Sequence, residues 1–146
     1  MDRRFRNDII YELYRTNELI NSRILWQTEG VYPQSVFIEV LINLRDLLWK
    51  ADSLGYRINF QDLVPQSEED GISDITDLVI YFRNAACHAD TPNRNFGESV
   101  LAFNVFYSPV EYPDDVAFNM GRYKIYLKRH LERAFTEVEA VLTPLL

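Results

Sequence analysis

The chain has one cysteine among its 146 residues, Cys87, so no disulfide can form within it. A lone cysteine is typical of proteins from a reducing compartment, and we expect a cytoplasmic protein. The N-terminal sequence MDRRFRND lacks the apolar segment of a signal peptide. No apolar run approaches the roughly 20 residues that a membrane-spanning helix needs. We therefore expect a soluble protein without membrane contacts.

The common motifs of cofactor and metal chemistry are also missing. The sequence contains no phosphate-binding glycine loop, dinucleotide fingerprint, zinc-ligand spacing or nucleophile elbow. Asp70, Asp74 and Asp77 have helical spacing that could suit a cation, but no histidine or cysteine completes a ligand set. The alternative is that these carboxylates favour the start of a helix through its dipole. We expect neither a cofactor nor a bound metal.

The chain lacks the positive charge of a general nucleic-acid-binding protein, since its formal net charge is −7. Its cations are nevertheless clustered, and local clusters can bind phosphates on an acidic protein. One cluster is Arg3, Arg4 and Arg6, and the second comprises Arg122, Lys124, Lys128, Arg129 and Arg133. His130 lies within the second cluster, and we predict that it is a surface or interface residue rather than a catalyst.

What is present is a hydrophobic fraction of 47%, which is typical of one globular domain spanning residues 1–146. Apolar residues recur every three or four positions and predict helices over 4–25, 33–54, 73–90 and 128–142. The first two helices are joined by a short loop and are therefore expected to be antiparallel.

The stretch between the third and fourth helices has a different pattern. Alternating β-branched and aromatic residues predict a strand over 99–107, and VAFNMGRYKIYL predicts a hairpin that turns at Met120-Gly121. A continuous helix is the alternative, although Gly121 argues against it. The expected fold is mainly α: an antiparallel, up-and-down bundle of about four helices, with a small β sheet before the C-terminal helix.

The segment 73–90, SDITDLVIYFRNAACHAD, carries the most informative residues. Ser73 is the predicted N-cap, and an apolar face is expected to pack into the core. The opposite face mixes apolar and reactive side chains, unlike a solvated face, and this favours a cleft or a contact with another copy of the chain. The apolar face contains Ile75, Leu78, Val79, Phe82, Ala86 and Ala89; the opposite face contains Ile80, Tyr81, Arg83, Asn84, Cys87 and His88.

Arg83, Asn84 and His88 are close enough along a helix to share one centre beside it. Together they supply a fixed cation, an amide and the side chain type that exchanges protons near neutral pH, a set that suits a phosphate-bearing substrate. The alternative is an ordinary ion-pairing or helix-capping role. A thiol nucleophile is not favoured, because the adjacent Cys87 and His88 point about 100° apart on a helix.

The sequence R-N-A-A-C-H at 83–88 resembles the R-x(4–6)-H motif of the HEPN superfamily, in which asparagine often follows the arginine. The resemblance implies a small antiparallel helical bundle. Many such domains are metal-independent ribonucleases of toxin–antitoxin and anti-phage systems, and others are non-catalytic. Carried over to this chain, Arg83 and His88 would be catalytic and Asn84 supporting. One subgroup has a modified tyrosine two residues after the histidine; here Asp90 stands there, and that mode of control is in doubt.

The resemblance further implies that an RNA 2′-hydroxyl attacks the adjacent phosphate to leave a 2′,3′-cyclic phosphate. Expected partners are RNA, an antitoxin protein and a second copy of the chain, with Ile80, Tyr81 and Cys87 at the homodimer interface. Asn93 and Arg94, in the turn-rich loop that follows, are either substrate contacts or plain turn residues. The alternatives are a non-catalytic HEPN-like module that binds nucleotide, RNA or protein, and a structural adaptor without a ligand.

Overall fold

The computed structural model describes residues 2–27, 30–88, 104–107 and 111–146. It confirms a mainly α fold with a small sheet before the last helix. The helices are α1 (Arg3–Asn21), α2 (Tyr32–Ser53), α3 (Ile75–Cys87) and α4 (Arg133–Leu142), and the strands are β1 (Asn104–Tyr107), β2 (Val116–Met120) and β3 (Tyr123–Tyr126). A short 3₁₀ turn, Ile24–Trp26, follows α1, and a π-helical turn, Leu127–Glu132, leads directly into α4.

The first two helices are antiparallel, as predicted. Lys50, near the end of α2, pairs with Glu12 of α1, whereas Arg15, further along α1, pairs with Glu39 near the middle of α2. Both helices bury one apolar stripe with three- and four-residue spacing, which is the pattern that predicted them. The stripe of α2 consists of Phe37, Val40, Leu41, Leu44, Leu47, Leu48 and Ala51.

Helix α3 begins one residue later than its predicted cap. The N-cap is Asp74, whose carboxylate accepts the Asp77 backbone N–H at 3.0 Å, so the assignment to Ser73 is wrong. Ser73 instead donates its hydroxyl to the Asp77 carboxylate at 2.7 Å. The core face includes the fully buried Ala85 as well as the predicted Ala86, which is half-buried and packs against the core, and the helix ends at Cys87. Residues 89 and 90 lie outside the described part of the chain.

Arg57 fixes the start of α3 against the end of α2. Its guanidinium donates to Asp52 at 2.9 Å, to Asp74 at 2.9 Å and to Asp77 at 2.8 Å. Asp74 is buried, so its charge depends on this partner. The start of α3 is thus tied to the end of α2, and Phe82 in the second half of α3 packs against Phe37 near the start of α2, so the two helices are antiparallel.

Replacing Arg57 with methionine should lower the free energy of unfolding by about 2 kcal/mol, since a buried carboxylate loses its cation while partial exposure limits the effect. Urea denaturation measures this change. Arg45→Met is the matched control, because Arg45 pairs at the surface with its neighbour Asp46 and is expected to matter by less than about 1 kcal/mol. Equal losses in the two variants would contradict the anchoring role of Arg57.

The three strands form one antiparallel sheet in the order β1-β2-β3. The predicted hairpin is confirmed, with its two-residue loop at Gly121-Arg122, one position later than expected. Gly121 has φ +59°, a conformation that glycine adopts without strain. The ring of Phe118 stacks on Phe37 of α2 with centroids 4.2 Å apart, which packs the sheet against the helices.

The start of the last helical segment is held by a fully buried carboxylate, Asp115. Its oxygens accept the backbone N–H groups of Val116 at 2.7 Å, Lys128 at 2.8 Å and Arg129 at 3.2 Å. The Arg129 guanidinium also donates to it at 2.9 Å. Asp115 therefore caps the π-helical turn from the loop before β2, a role that its position in the sequence does not reveal.

His130 is buried, so its prediction as a surface or interface residue is wrong. Its Nδ1 accepts the Tyr126 backbone N–H at 3.2 Å, and its Nε2 lies 3.3 Å from the Asp62 carbonyl, to which it donates. His130 lies three residues after the buried Leu127 and four before the buried Ala134, so it shares their inward side of the segment. Burial lowers the pKa of His130 to about 4.

Stability should therefore fall as the pH drops from 6.5 towards 4. In this range the unfolded chain protonates His130 at its ordinary pKa of 6.5, whereas the folded chain keeps the ring neutral. The contribution of neutral His130 to the free energy of unfolding is therefore fully present above pH 6.5 and is lost on acidification towards pH 4. The full loss is about 3 kcal/mol. Urea denaturation between pH 7 and pH 5 should show a smaller pH dependence for His130→Gln than for wild type; identical slopes would contradict this assignment.

Candidate functional site

The structure brings Arg83, Asn84 and His88 together at the last turn of α3. Arg83 Nη1 lies 3.1 Å from His88 Nε2 and 3.4 Å from Asn84 Oδ1. His88 is exposed, whereas Arg83 and Asn84 are half-buried. The three side chains thus form one cluster, open to solvent at the histidine and supported by the helix at the arginine.

The end of α3 places His88 where its ring can contact Arg83. The His88 backbone N–H donates to the Asn84 carbonyl at 3.0 Å, and His88 itself has extended dihedral angles of φ −119° and ψ 107°. A guanidinium can only donate, so Nε2 is the acceptor in this contact and the neutral ring carries its proton on Nδ1.

Arg83 lacks a carboxylate partner among the described residues, and its buried Nε atom has no hydrogen-bond partner there. Most other described cations form ion pairs; besides Arg83, only Arg3, Arg4, Arg6 and Arg23 do not, and these four are exposed. Arg83 is therefore a half-buried guanidinium whose charge is balanced by no nearby carboxylate of the described chain. A phosphate would provide that balance and would match the planar donor fork.

The residues predicted for a contact between two copies do not all share one surface. Cys87 is exposed and Ile80 is half-buried, but Tyr81 is only 3% exposed. Its ring packs edge-on against Tyr123 at 5.1 Å, and burial raises its pKa to about 12. The assignment of Tyr81 to the interface is wrong, because the β hairpin of the same chain covers that side of α3.

The acidic residues at the start of α3 are occupied by protein groups. Asp74 and Asp77 bind Arg57, and Asp70 accepts hydrogen bonds from the Tyr123 hydroxyl and Arg122. Within the described ranges, no group of three histidine, cysteine or carboxylate side chains is arranged to hold a metal ion.

The second basic cluster is paired with carboxylates throughout, so it does not offer the free phosphate-binding patch that its charge suggested. The pairs are Arg122 with Glu69 and Asp70, Lys124 with Glu111, Lys128 and Arg129 with Asp114, Arg129 with Asp115, and Arg133 with Asp62 and Glu137. The possible substrate contacts Asn93 and Arg94 lie outside the described residues.

Sequence reasoning missed Arg57, which positions the helix that carries the site. The available signal was a single arginine four residues after the end of α2, with aspartates at positions 52, 74 and 77 as possible partners. It could be interpreted only with knowledge that the two helix ends meet.

Comparisons with protein-family models, with curated proteins and with solved structures give no match to this chain. None of the helices in the described ranges is long and apolar enough to cross a bilayer. The functional interpretation therefore depends on the chemistry of the Arg83–Asn84–His88 cluster.

Proposed function

We propose that the protein is a metal-independent endoribonuclease of the HEPN type, acting in a toxin–antitoxin or phage-defence setting with an antitoxin protein as regulator. One observation carries the proposal. Arg83 is a half-buried guanidinium without a carboxylate partner in the described chain, and it contacts both a histidine and an amide at an exposed helix end. These groups match the needs of phosphate-ester cleavage, namely a cation for the phosphate and a side chain that carries protons.

Each residue has a defined role in the proposed reaction. Arg83 binds the scissile phosphate and stabilises the charge of the phosphorane, and this competes with its contact to His88 Nε2. The released Nε2 accepts the proton of the ribose 2′-hydroxyl as the oxygen attacks phosphorus. The bond from phosphorus to the 5′ oxygen then breaks, and that oxygen takes a proton from the protonated His88 ring of a second copy of the chain. Asn84 orients the histidine or the phosphate.

A homodimer would supply two such clusters to one groove, so that one His88 accepts a proton while the partner's His88 donates one. Ile80, half-buried beside the exposed Cys87, lies on the outward side of α3 where such a contact would form. A two-fold contact pairs a surface with its own copy and would bring the two clusters together.

Replacing Ile80 with aspartate should therefore produce monomers and reduce cleavage by about tenfold or more, because a charge at a buried contact strongly disfavours association. Sedimentation at micromolar concentration and an RNA cleavage assay test both effects. Cys87→Ser is the control at the same surface and should stay dimeric and active. A monomeric wild type, or a dimeric and active Ile80→Asp, would refute the dimer geometry.

The direct test of the proposed activity uses purified wild-type protein and mixed RNA in EDTA. Cleavage should persist, because the cluster offers a proton carrier and a cation for the reaction. Activity that is abolished by EDTA and restored by a divalent ion would contradict the proposal.

RNA binding without any cleavage would favour the second candidate, a non-catalytic module. The Arg83–His88 contact itself supports that candidate. A guanidinium donor and an imidazole acceptor that are already hydrogen-bonded to each other can serve a purely structural role.

A further inference from the structure

The start of α1 carries three arginines that no carboxylate of the described chain neutralises. Arg3, Arg4 and Arg6 are all exposed, and the N-cap carboxylate, Asp2, accepts the Arg4 backbone N–H at 2.8 Å without pairing with any of the three guanidiniums. Cations are unfavourable at a helix N-terminus, where the dipole is positive. Asp8 lies four residues after Arg4, yet the two side chains form no ion pair. The cluster therefore costs the folded helix some stability, and an anionic partner would offset that cost.

The next two turns of the same helix expose aromatic rings. Tyr11 is 62% exposed and Tyr14 is 64% exposed, on the side of α1 opposite the buried Ile9 and Leu13. At 1.5 Å per residue, the stretch from Arg3 to Tyr14 is about 16 Å long. Exposed tyrosines beside unpaired arginines are the combination with which proteins bind single-stranded nucleic acid, since rings stack on bases while cations bind phosphates.

We propose that this outward surface, formed by Arg3, Arg4, Tyr11 and Tyr14 with Arg6 at its edge, binds single-stranded RNA. The proposal deepens the proposed function by giving the same substrate a second contact. A membrane surface is disfavoured, because an interfacial helix inserts its apolar face, and the apolar face of α1 is buried in the bundle. Binding of single-stranded RNA would use only the exposed arginines, for the phosphates, and the exposed rings, for the bases.

The surface is distinct from the Arg83 cluster. Lys50 of α2 lies over the Phe5 ring with its Nζ 5.9 Å from the centroid, which places the start of α1 beside the end of α2. Phe82, shortly before the end of α3, packs against Phe37 at 6.3 Å, near the other end of α2. Along α2, thirteen residues, or about 20 Å, separate Lys50 from Phe37. The α1 surface would therefore anchor one part of an RNA strand while the cluster acts on another.

The test measures binding of a fluorescein-labelled, unstructured RNA by anisotropy, in a His88→Ala background so that the RNA stays intact. Arg3→Gln/Arg4→Gln/Arg6→Gln should weaken binding about tenfold or more, and the slope of log affinity against log salt should fall by about 2, as expected for three lost phosphate contacts on a single strand. Tyr11→Ala/Tyr14→Ala should weaken binding by about fivefold or more, whereas Tyr11→Phe/Tyr14→Phe should bind like the parent.

Matched controls separate this surface from general charge and from folding. Arg45→Gln/Arg122→Gln/Lys124→Gln changes the formal net charge from −7 to −10, as does the α1 triple variant, but removes paired cations elsewhere. It should bind nearly as well as the parent. The α1 triple variant should keep or raise its melting temperature, because it removes an unfavourable dipole interaction. A lower melting temperature would indicate a structural role instead.

Unchanged RNA affinity in the α1 variants, or equal weakening in the matched triple control, would overturn the proposal. It would also be overturned if the α1 triple variant lost binding to phosphatidylserine vesicles while its affinity for RNA stayed the same. The proposed ribonuclease activity can fail separately. If wild-type protein does not cleave RNA but binds it through α1, this proposal stands and the catalytic one does not.

Discussion

Replacing His88 with alanine should lower the rate of RNA cleavage by about 10²- to 10⁴-fold, the range typical of a general acid–base residue. His88 is exposed and follows the last residue of α3, so its side chain contributes little packing and the variant should fold like wild type. Single-turnover cleavage in EDTA measures the rate, and thermal unfolding checks the fold. A His88→Ala protein that cleaves at the wild-type rate would rule out the proposed site.

Arg83→Lys provides the companion measurement, because it keeps the charge and removes the planar fork. Lysine binds phosphate as a point charge and cannot donate two parallel hydrogen bonds, so cleavage should fall by about 10²-fold. Arg45→Lys, at a surface cation paired with Asp46, is the control and should leave the rate unchanged. A similar loss in both variants would indicate a general effect of exchanging arginine for lysine.

Replacing Asp115 with alanine should lower the free energy of unfolding by about 3 kcal/mol or more, because three backbone N–H groups lose the buried oxygens that accept their hydrogen bonds. The substitution leaves the Arg129 guanidinium without its buried partner and removes the acceptor for three backbone N–H groups. Asp115→Asn should recover part of the loss, because its amide oxygen can still cap Lys128. Urea denaturation measures all three proteins.

Asp114→Ala is the control for Asp115. Asp114 binds the same arginine at 3.0 Å but is exposed, so its loss should cost much less than the loss of Asp115. If the two alanine variants were equally destabilised, Asp115 would not be the residue that holds the start of the last helical segment.

The sequence predicted the parts of the fold that local patterns determine. Apolar spacing identified α1 and α2, and the glycine at 121 identified the hairpin, because side chain burial and backbone conformation follow from neighbouring residues there. The predictions failed where a distant segment decides the environment. Tyr81 is buried because β3 packs beside it, and the His130 ring lies against the Asp62 carbonyl in the segment between α2 and α3.

The candidate site was predictable because all three of its residues lie within six positions at the end of one helix. Their spacing alone places them near each other, and the contacts of Arg83 agree with that expectation. Charge clusters were less informative, because ion pairing depends on the fold. The cations from Arg122 to Arg133 are all paired, whereas Arg3, Arg4 and Arg6 pair with no carboxylate of the described ranges, and the two clusters look alike in the sequence.

The chemical ends of the cleaved RNA test the central claim most directly, because they report which oxygen attacked the phosphate. A defined RNA is incubated with wild-type protein in EDTA, and the products are analysed by mass spectrometry. Attack by the ribose 2′-hydroxyl predicts a 2′,3′-cyclic phosphate on one fragment and a 5′-hydroxyl on the other, with no cleavage at a 2′-deoxy nucleotide. Products that carry a 5′-phosphate and a 3′-hydroxyl would contradict the proposed mechanism of Arg83 and His88.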